Sequence, residues 1–348
     1  MAEMADEYGC RKMAEENKEL HGPMAEYLKQ TFSQRFDKFG RVLTDVCHYT
    51  GLVEIGGGKA LALRVEGAGP KTLIAQAMKK YDTIGIDCVA ANVNDLICMG
   101  AEPITLVNYL SLEKADQKII GEIMKGLAAA AREAGAALLG GETVVMPETV
   151  RGFNLAAMSM GLVYKDKIVK NDKIRPGDIL IGLESPCLNT DGIPIAKKVL
   201  LQRYSIGTHV KELDCSVGEE LLKPAAIYVK PVLEIMQSCK VNGMTHLNTG
   251  GLSKLVKLAE KANVGFEIKL PKPVKPVFRL VQSHGLLSDK YMFNTFNMGL
   301  GFIIIVPGED PEDYERVADV LKKYGIKHGV IGKVTELQKV LVNGVEVP

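Results

Sequence analysis

Residues 81–100, YDTIGIDCVAANVNDLICMG, are apolar at most positions and yet contain several polar side chains. The acidic and amide residues among them are Asp82, Asp87, Asn94 and Asp95. A segment this apolar is typical of the interior of an α/β domain, where carboxylates are seldom buried unless they are paired or bind a cation. The fold must therefore supply partners for these groups around a buried segment.

A helix predicted over residues 88–99, beginning near Asp87, brings three of these groups toward one cleft. At roughly 100° per residue, Asn94 lies about 20° from Asp87 around the axis and Asp95 about 80°. Carboxylates that converge with amide oxygens form a site for Mg²⁺, which takes one or two carboxylates together with phosphate oxygens. The simpler alternative is that Asp87 caps the helix and Asp95 bonds a neighbouring backbone group.

The surrounding pattern predicts an α+β arrangement with helices on one face of a mixed sheet. Strands are predicted at 60–67, 103–112, 136–143 and 154–165, and helices at 71–80, 88–99 and 115–135, with a stop at Gly135. The strand at 154–165 is apolar at nearly every position. Such a strand is buried on both faces, and we expect a second subunit to cover the outer one.

A polar segment at residues 165–178, which contains Pro176-Gly177, divides the chain. Strands are then predicted at 179–185, 264–270, 300–306 and 328–334, and helices near 192–203, 226–239, 251–262 and 310–324. A chain of 348 residues suits two domains. We predict a helical, polar leader at 1–46, an N-terminal domain at 47–168 and a C-terminal α/β domain at 169–348.

Charge and cysteine content restrict the partners and the compartment. The 43 basic and 42 acidic residues give a net charge of +1, and no aromatic-basic stripe is visible, so nucleic acid and anionic membranes are not expected partners. The seven cysteines include no C-x-x-C pair, which indicates free thiols in a reducing compartment. The N-terminus lacks the order of a signal peptide and the apolar runs are too short for a membrane span, so we expect a cytoplasmic protein.

Glycine-rich turns recur next to polar residues. The turn EGAGPKT (66–72), ending near Lys71, exposes backbone N–H groups to an anion, although the Walker pattern is absent and a simple turn is the alternative. In GGETVVMP (140–147) a carboxylate, Glu142, follows two glycines. NTGGL, preceded by His246, and TFNMGLG, with Asn297, repeat the pattern in the second half, where a structural histidine and a bulge are the alternatives.

The order of these motifs is more specific than any one of them. DTIGID, NDL, GAEP, GGET with MP, KPxxIYVK (223–230) and TFNxGxG follow one another between residues 60 and 335. In this order they strongly resemble the aminoimidazole ribonucleotide (AIR) synthetase family, also called phosphoribosylformylglycinamidine cyclo-ligase.

The resemblance implies a homodimer in which N-terminal sheets of two subunits form a central β-barrel, with a C-terminal α/β domain for the substrate. It implies closure of the imidazole ring of formylglycinamidine ribonucleotide, a small-molecule substrate, with ATP as co-substrate and Mg²⁺. The matching positions imply metal ligation by Glu66, Asp82, Asp87, Asp95 and Glu142, binding of ATP or phosphate by Gly67, Gly69, Lys71, Asn94, Gly141, Gly250, Gly251 and Asn297, and catalysis by Lys71, Asp95 and His246.

Several positions depart from the family pattern. The family's Asp-Gly-Val-Gly-Thr-Lys is EGAGPK at 66–71, its His-Ser-Asn-Gly is NTDG at 189–192, and its Thr-Gly-Gly-Gly is NTGG at 248–251. The family's glycine-rich, lysine-bearing N-terminal loop has its nearest counterpart in GGGK at 56–59, which is predicted to be a hairpin turn. These changes alter the ligands available to metal and phosphate.

Two other functions compete with the cyclo-ligase. One is another ATP-using enzyme of the same superfamily, such as a selenophosphate synthetase, a thiamine-phosphate kinase or a hydrogenase maturation factor. A selenophosphate synthetase would have a reactive cysteine beside a lysine near its N-terminus, and Cys10-Arg11-Lys12 is only weakly similar to that pattern. The other is a non-catalytic nucleotide-binding paralogue, which the altered loops at 66–71 and 189–192 keep open.

Overall fold

The computed structural model describes residues 24–36, 38–45, 49–309 and 311–348. Over these residues the chain forms two α+β halves, each built on one large sheet, and the predicted fold class is confirmed. Within the predicted leader, residues 24–32 are helical and a 3₁₀ turn follows at Ser33–Arg35, while residues 1–23 lie outside the description. The part of the chain described in the structure has no helix long and apolar enough to cross a membrane.

The N-terminal sheet has five strands, at Gly51–Gly56 (β1), Lys59–Gly67 (β2), Glu102–Leu112 (β3), Ala137–Val145 (β4) and Phe153–Tyr164 (β5). Their spatial order is β1-β2-β5-β3-β4, with β3 and β4 parallel and the other neighbours antiparallel. Gly57 and Gly58 have positive φ and turn β1 into β2, so GGGK at 56–59 is a hairpin turn, as predicted.

Of the three helices of this half, Lys71–Met78 (α1), Ile84–Ile97 (α2) and Gln117–Ala134 (α3), the last two pack on one face of the sheet and α1 packs against α2. α2 begins at Ile84, so the predicted start near Asp87 is wrong: TIGI supplies the first helical turn. Its glycine explains why this turn can pack so closely, since a Cβ at Gly85 would lie 2.3 Å from the backbone nitrogen of Leu127 in α3. All residues of α2 except Ile86 are buried, because the helix also contacts the C-terminal half.

The outer face of the N-terminal sheet is open in the single chain. Along β5 the residues toward α2, such as Leu155 and Ala157, are buried, whereas Met158 on the other face is 42% exposed. Val65 of β2 pairs directly with Met158 and is 62% exposed, and Tyr109 of β3 is also exposed. Burial of β5 on both faces therefore stays a prediction that requires a second subunit.

The C-terminal sheet has seven strands, at Ile179–Glu184 (β6), Gly243–His246 (β9), Gly265–Ile268 (β10), Leu300–Val306 (β11), His328–Thr335 (β12), Val340–Val342 (β13) and Val345–Val347 (β14). A separate two-stranded ribbon pairs His209–Val210 (β7) with Cys215–Ser216 (β8). The order is β14-β13-β10-β12-β6-β11-β9. Its helices are Gly192–Leu201 (α4), Val217–Leu221 (α5), Val229–Ser238 (α6), Lys254–Ala262 (α7), Pro276–Gly285 (α8), Asp289–Thr295 (α9) and Pro311–Lys323 (α10). Every residue of β11 is buried, so both faces of this strand are covered, and its residues belong to a core that runs through both halves of the chain.

Candidate active site

A narrow cavity of about 30 Å³ lies where the two halves meet. The turn after β2 and one side of α2 form its N-terminal wall, and loops that follow β6, β9 and α9 form the opposite wall. Five of the predicted site residues line this cavity: Gly67, Lys71, Asp87, His246 and Asn297. The fold therefore gathers predicted residues from both halves of the chain at one place.

Lys71 and Asp87 form a buried ion pair at the N-terminal wall. The Lys71 Nζ lies 2.8 Å from Asp87 Oδ1 and also donates to the carbonyl oxygen of Lys223 at 2.6 Å. The same carboxylate oxygen accepts a hydrogen bond from the backbone N–H of Ala225. Burial alone would lower the pKa of Lys71, but Asp87 and the Cys187 sulfur together outweigh burial and raise that pKa, so the ammonium stays charged.

Asp95 and His246 form a second buried pair that joins α2 to the end of β9. His246 Nδ1 lies 2.9 Å from Asp95 Oδ1, and Arg64 Nη2 lies 3.0 Å from Asp95 Oδ2. Burial opposes ionisation, yet Lys254, His246 and Arg64 together lower the pKa of Asp95. Since an ionised carboxylate only accepts, Nδ1 carries the proton and Nε2 of a neutral His246 is a base. Burial lowers the pKa of His246, which keeps the ring neutral.

Two predicted amides organise the backbone around the cavity. Asn94 accepts a hydrogen bond from the N–H of Tyr228 and donates to the carbonyl of Ala226, so it ties α2 to the segment before α6. Asn297 donates from Nδ2 to the carbonyl of Cys187 at 3.2 Å. Both side chains are buried. In this arrangement each amide holds a loop of the C-terminal wall in position.

The predicted glycines have different structural roles. Gly69 has a φ of +67° and a Cβ there would lie 2.9 Å from Thr190, so the turn before α1 packs directly on the opposite wall. In β4, a Cβ at Gly141 would lie 1.9 Å from the carbonyl oxygen of Asn108 in β3, which explains the glycine without a ligand. The N–H of Gly250 donates to Asp191 Oδ2 at 2.6 Å, so the carboxylate that departs from the family pattern bonds to the NTGG loop.

Of the five predicted metal ligands only Asp87 lines the cavity; Asp95, which pairs with His246, and the three described next do not. Glu66 pairs with Arg64 on the covered face of β2, and Asp82 precedes α2 with its Oδ1 buried and without a hydrogen-bond partner. Glu142 is exposed on the open face of the sheet, where it lies beside Tyr109. No group of three or more His, Cys, Asp or Glu side chains arranged to hold a metal occurs in the described ranges.

Four residues of this region were not predicted from the sequence. Arg64 pairs with Asp95, Lys254 Nζ donates to the carbonyl of His246 at 2.8 Å and lies over the ring of Tyr49, and Cys187 lines the cavity. An arginine at an inward position of a half-buried strand was the available signal, because such a charge needs a partner. The others gave no local signal, since their partners are distant in sequence.

Solved structures show that other proteins share this fold. The thiamine-monophosphate kinase from Stenotrophomonas maltophilia K279a superposes with a TM-score of 0.62 at 20% identity, covering 90% of this chain and 94% of that chain. The structure described as AaThiL complexed with AMPPCP and TMP gives a TM-score of 0.63 at 19% identity, covering 95% and 96%. At these identities the likeness establishes the fold alone.

Comparison with known sequences gives higher identities than the superposed structures do. The family model for the N-terminal domain of AIR synthase related proteins matches residues 48–163, and the model for the C-terminal domain matches residues 175–343. The chain therefore belongs to the AIR synthase related protein family. A phosphoribosylformylglycinamidine cyclo-ligase from Pyrococcus furiosus is 40% identical over 317 residues, covering 91% of each chain.

Proposed function

We propose that this chain is a phosphoribosylformylglycinamidine cyclo-ligase, which closes the imidazole ring of AIR with ATP in purine biosynthesis. The observation that carries the proposal is the 40% identity with a cyclo-ligase along nine-tenths of both chains. The cavity supports it, because a buried ammonium and a neutral histidine base face the same space. The two superposed structures of the same fold are only about 20% identical to this chain. The much higher identity with a cyclo-ligase favours that activity over the superfamily alternatives.

The proposed reaction has two steps with different demands. ATP transfers its terminal phosphoryl group to the formyl oxygen and leaves as ADP. An amidine nitrogen then attacks the activated carbon, phosphate departs and the nitrogen loses a proton as the ring closes. Positioning and charge stabilisation dominate the first step, whereas the second requires an acceptor for the proton and exclusion of water from the activated intermediate.

Residues of this chain meet these demands in distinct ways. The Lys71 ammonium supplies positive charge for the transferring phosphoryl group, and Asp87 keeps that ammonium charged in the interior. His246 Nε2 accepts the proton from the amidine nitrogen, because Asp95 holds the Nδ1–H. The cavity lies between the two halves of the chain, so a ribonucleotide bound there would be covered from both sides, which would exclude water.

The chain also offers oxygens that fit Mg²⁺. Asp82 Oδ1 and Asp87 Oδ2 are both buried without a hydrogen-bond partner, as expected for ligands of a cation or its waters. Mg²⁺ held by Asp87 at the cavity wall would neutralise charge on the phosphate oxygens of ATP. Both oxygens of Asp95 have protein partners, so we assign Asp95 to His246 and not to the metal.

We propose domain limits that follow the polar boundary: a leader at 1–46, an ATP-binding, metal-binding and dimerisation domain at 47–168 and a substrate domain at 169–348. The family-model matches at 48–163 and 175–343 support the division.

We also propose that the protein works in the cytoplasm, since all five cysteines in the described ranges are free.

A coupled assay tests the function. Formylglycinamidine ribonucleotide, ATP and Mg²⁺ are supplied, and AIR and phosphate are followed together. We expect equal amounts of both, each dependent on the ribonucleotide. Phosphate without AIR would point to a sister kinase or synthetase, and neither product from folded protein would favour the non-catalytic paralogue.

The open face of the N-terminal sheet predicts a homodimer. Val65, Met158 and Tyr109 form an exposed apolar surface on adjacent strands, which is the kind of surface that self-association covers. Replacing Val65 by Glu is expected to convert a dimer into a monomer, measured by light scattering after size exclusion. Val330→Glu is the matched control, because Val330 is a similarly exposed strand valine (51%) in the C-terminal half. A monomeric wild type, or a Val65→Glu dimer, would contradict the assignment.

A further inference from the structure

The described ion pair between Arg64 and Asp95 connects the N-terminal sheet to the histidine of the candidate site. Arg64 lies on β2 opposite Ser159, a fully buried residue, and therefore points to the covered side of the sheet. There its Nη2 reaches Asp95 Oδ2 at 3.0 Å on α2. The other carboxylate oxygen of Asp95 accepts from His246 on β9. One carboxylate thus joins three elements from both halves of the chain.

The two contacts on Asp95 restrict its orientation. Its side chain is 3% exposed, so water is not a ready replacement for a lost partner. Because each oxygen has its own donor, rotation of the carboxylate would break both bonds at once. The fixed Oδ1 then selects the His246 tautomer with the proton on Nδ1 and the lone pair on Nε2.

Other contacts fix the histidine from the remaining sides. The ring packs nearly parallel to the ring of Phe302, with centroids 6.3 Å apart. Lys254 holds the backbone carbonyl of His246, and Asn94 Nδ2 lies 3.5 Å from Nε2. These contacts limit where the ring lies, but neither the phenyl ring nor the lysine chooses between the two neutral tautomers. The amide N–H of Asn94 also favours a lone pair on Nε2, but at 3.5 Å it is the weaker contact, so the 2.9 Å bond to Asp95 dominates the choice, which then depends on the group that orients Asp95.

We propose that Arg64 is a positioning residue, which acts through Asp95 to hold His246 in the Nδ1–H tautomer with Nε2 free to accept a proton from substrate. Glu66, which also contacts Arg64, limits the guanidinium to this side of the strand. The kinetic consequence rests on the proposed cyclo-ligase activity, whereas the tautomer itself is independent of any activity.

Nitrogen NMR of the histidine ring tests the tautomer directly. Protein labelled with ¹⁵N-histidine contains six labelled rings, and His246→Gln identifies the signals of His246. At a fixed neutral pH, we expect wild-type Nδ1 to be protonated and Nε2 to be unprotonated. Arg64→Met should give a mixture of both tautomers, and Arg64→Lys should restore the wild-type pattern because an ammonium can still donate to Asp95.

Kinetics supply the second readout. Arg64→Met is expected to lower kcat by about 10- to 100-fold, part of the 10²–10⁴ that proton transfer contributes, with KM changed by less than about 3-fold. Arg41→Met is the matched control, since Arg41 forms an ion pair with Glu54 on the surface and should leave both readouts unchanged. If Arg64→Met does not fold, Arg64→Gln provides the neutral variant.

The outcomes separate this inference from the proposed function. An unchanged His246 tautomer in the neutral variants would overturn the positioning role, whatever the enzyme does. A changed tautomer with wild-type kcat would overturn its catalytic consequence. A wild-type protein that makes no AIR would refute the proposed function, while the NMR measurement would still decide whether Arg64 orients His246.

Discussion

Replacement of Asp87 by asparagine is expected to lower the free energy of unfolding by about 3–5 kcal/mol, the usual result of breaking a buried ion pair from one side. Lys71 is 5% exposed and Asp87 8% exposed, so the lysine left behind cannot be solvated where it lies. The change keeps the shape of the side chain, which separates the effect of charge from the effect of packing. Urea unfolding followed by circular dichroism measures it.

A paired replacement separates the structural role of this ion pair from the functional one. In Lys71→Met with Asp87→Leu, apolar side chains of similar size replace both charges, so part of the lost stability should return, although the N–H of Ala225 and the carbonyl of Lys223 lose their partners. Phosphate release and AIR formation should be lost in the double variant, because the ammonium proposed to act on the phosphoryl group is gone. Asp87→Asn with wild-type stability would show that the pair is not a buried ionic contact, and an active double variant would remove Lys71 from the reaction.

The elements with strong local patterns could be predicted from the sequence. β11 coincides with the predicted strand at 300–306, and α3 ends before Gly135, whose φ of +75° fits the predicted stop. Elements with weak patterns were missed: the strands β1, β7, β8, β9, β13 and β14 and the helices α5, α8 and α9. These elements are short or lie next to glycine and proline, and contacts with distant segments decide their structure more than local preference does.

The sequence predicted several residues of the candidate site, but it did not predict which of them form ion pairs with each other. Glycine-rich turns and acidic residues in apolar segments marked Lys71, Asp87 and Asp95, because such residues need partners in the interior. Which partners they have depends on how α2 packs between the halves of the chain. Periodicity placed Asp87 and Asp95 beside one cleft, yet it could not show that Lys71 and His246, and not one shared cation, bond to them.

Replacement of Asp95 by asparagine is expected to lower AIR formation by about 10²–10⁴-fold while leaving the fold nearly unchanged. The asparagine carbonyl can still accept from Arg64, which preserves the contact between β2 and α2. Its NH₂ group would then face His246 Nδ1 and favour the tautomer with the proton on Nε2. Nε2 would lose its lone pair, so it could not accept the proton released on ring closure.

Glu54→Gln is the matched control for this change, because Glu54 also bonds an arginine, Arg41, but lies on the edge strand β1 opposite Ala60, at the end of β2 away from the cavity. It should leave AIR formation and thermal stability as in the wild type. Asp95→Asn with near-wild-type turnover would remove Asp95 from the reaction, whether as an orienting group or as a metal ligand.

A double variant distinguishes the orienting role from the metal role. If Asp95 acts only through His246, then His246→Gln already removes its contribution, and Asp95→Asn added to it should lower AIR formation by less than about 3-fold further. If Asp95 instead bound Mg²⁺, the two losses would multiply, and raising the Mg²⁺ concentration would partly restore the Asp95→Asn enzyme. The structure favours the first result, because each oxygen of Asp95 already has a protein donor within 3.0 Å.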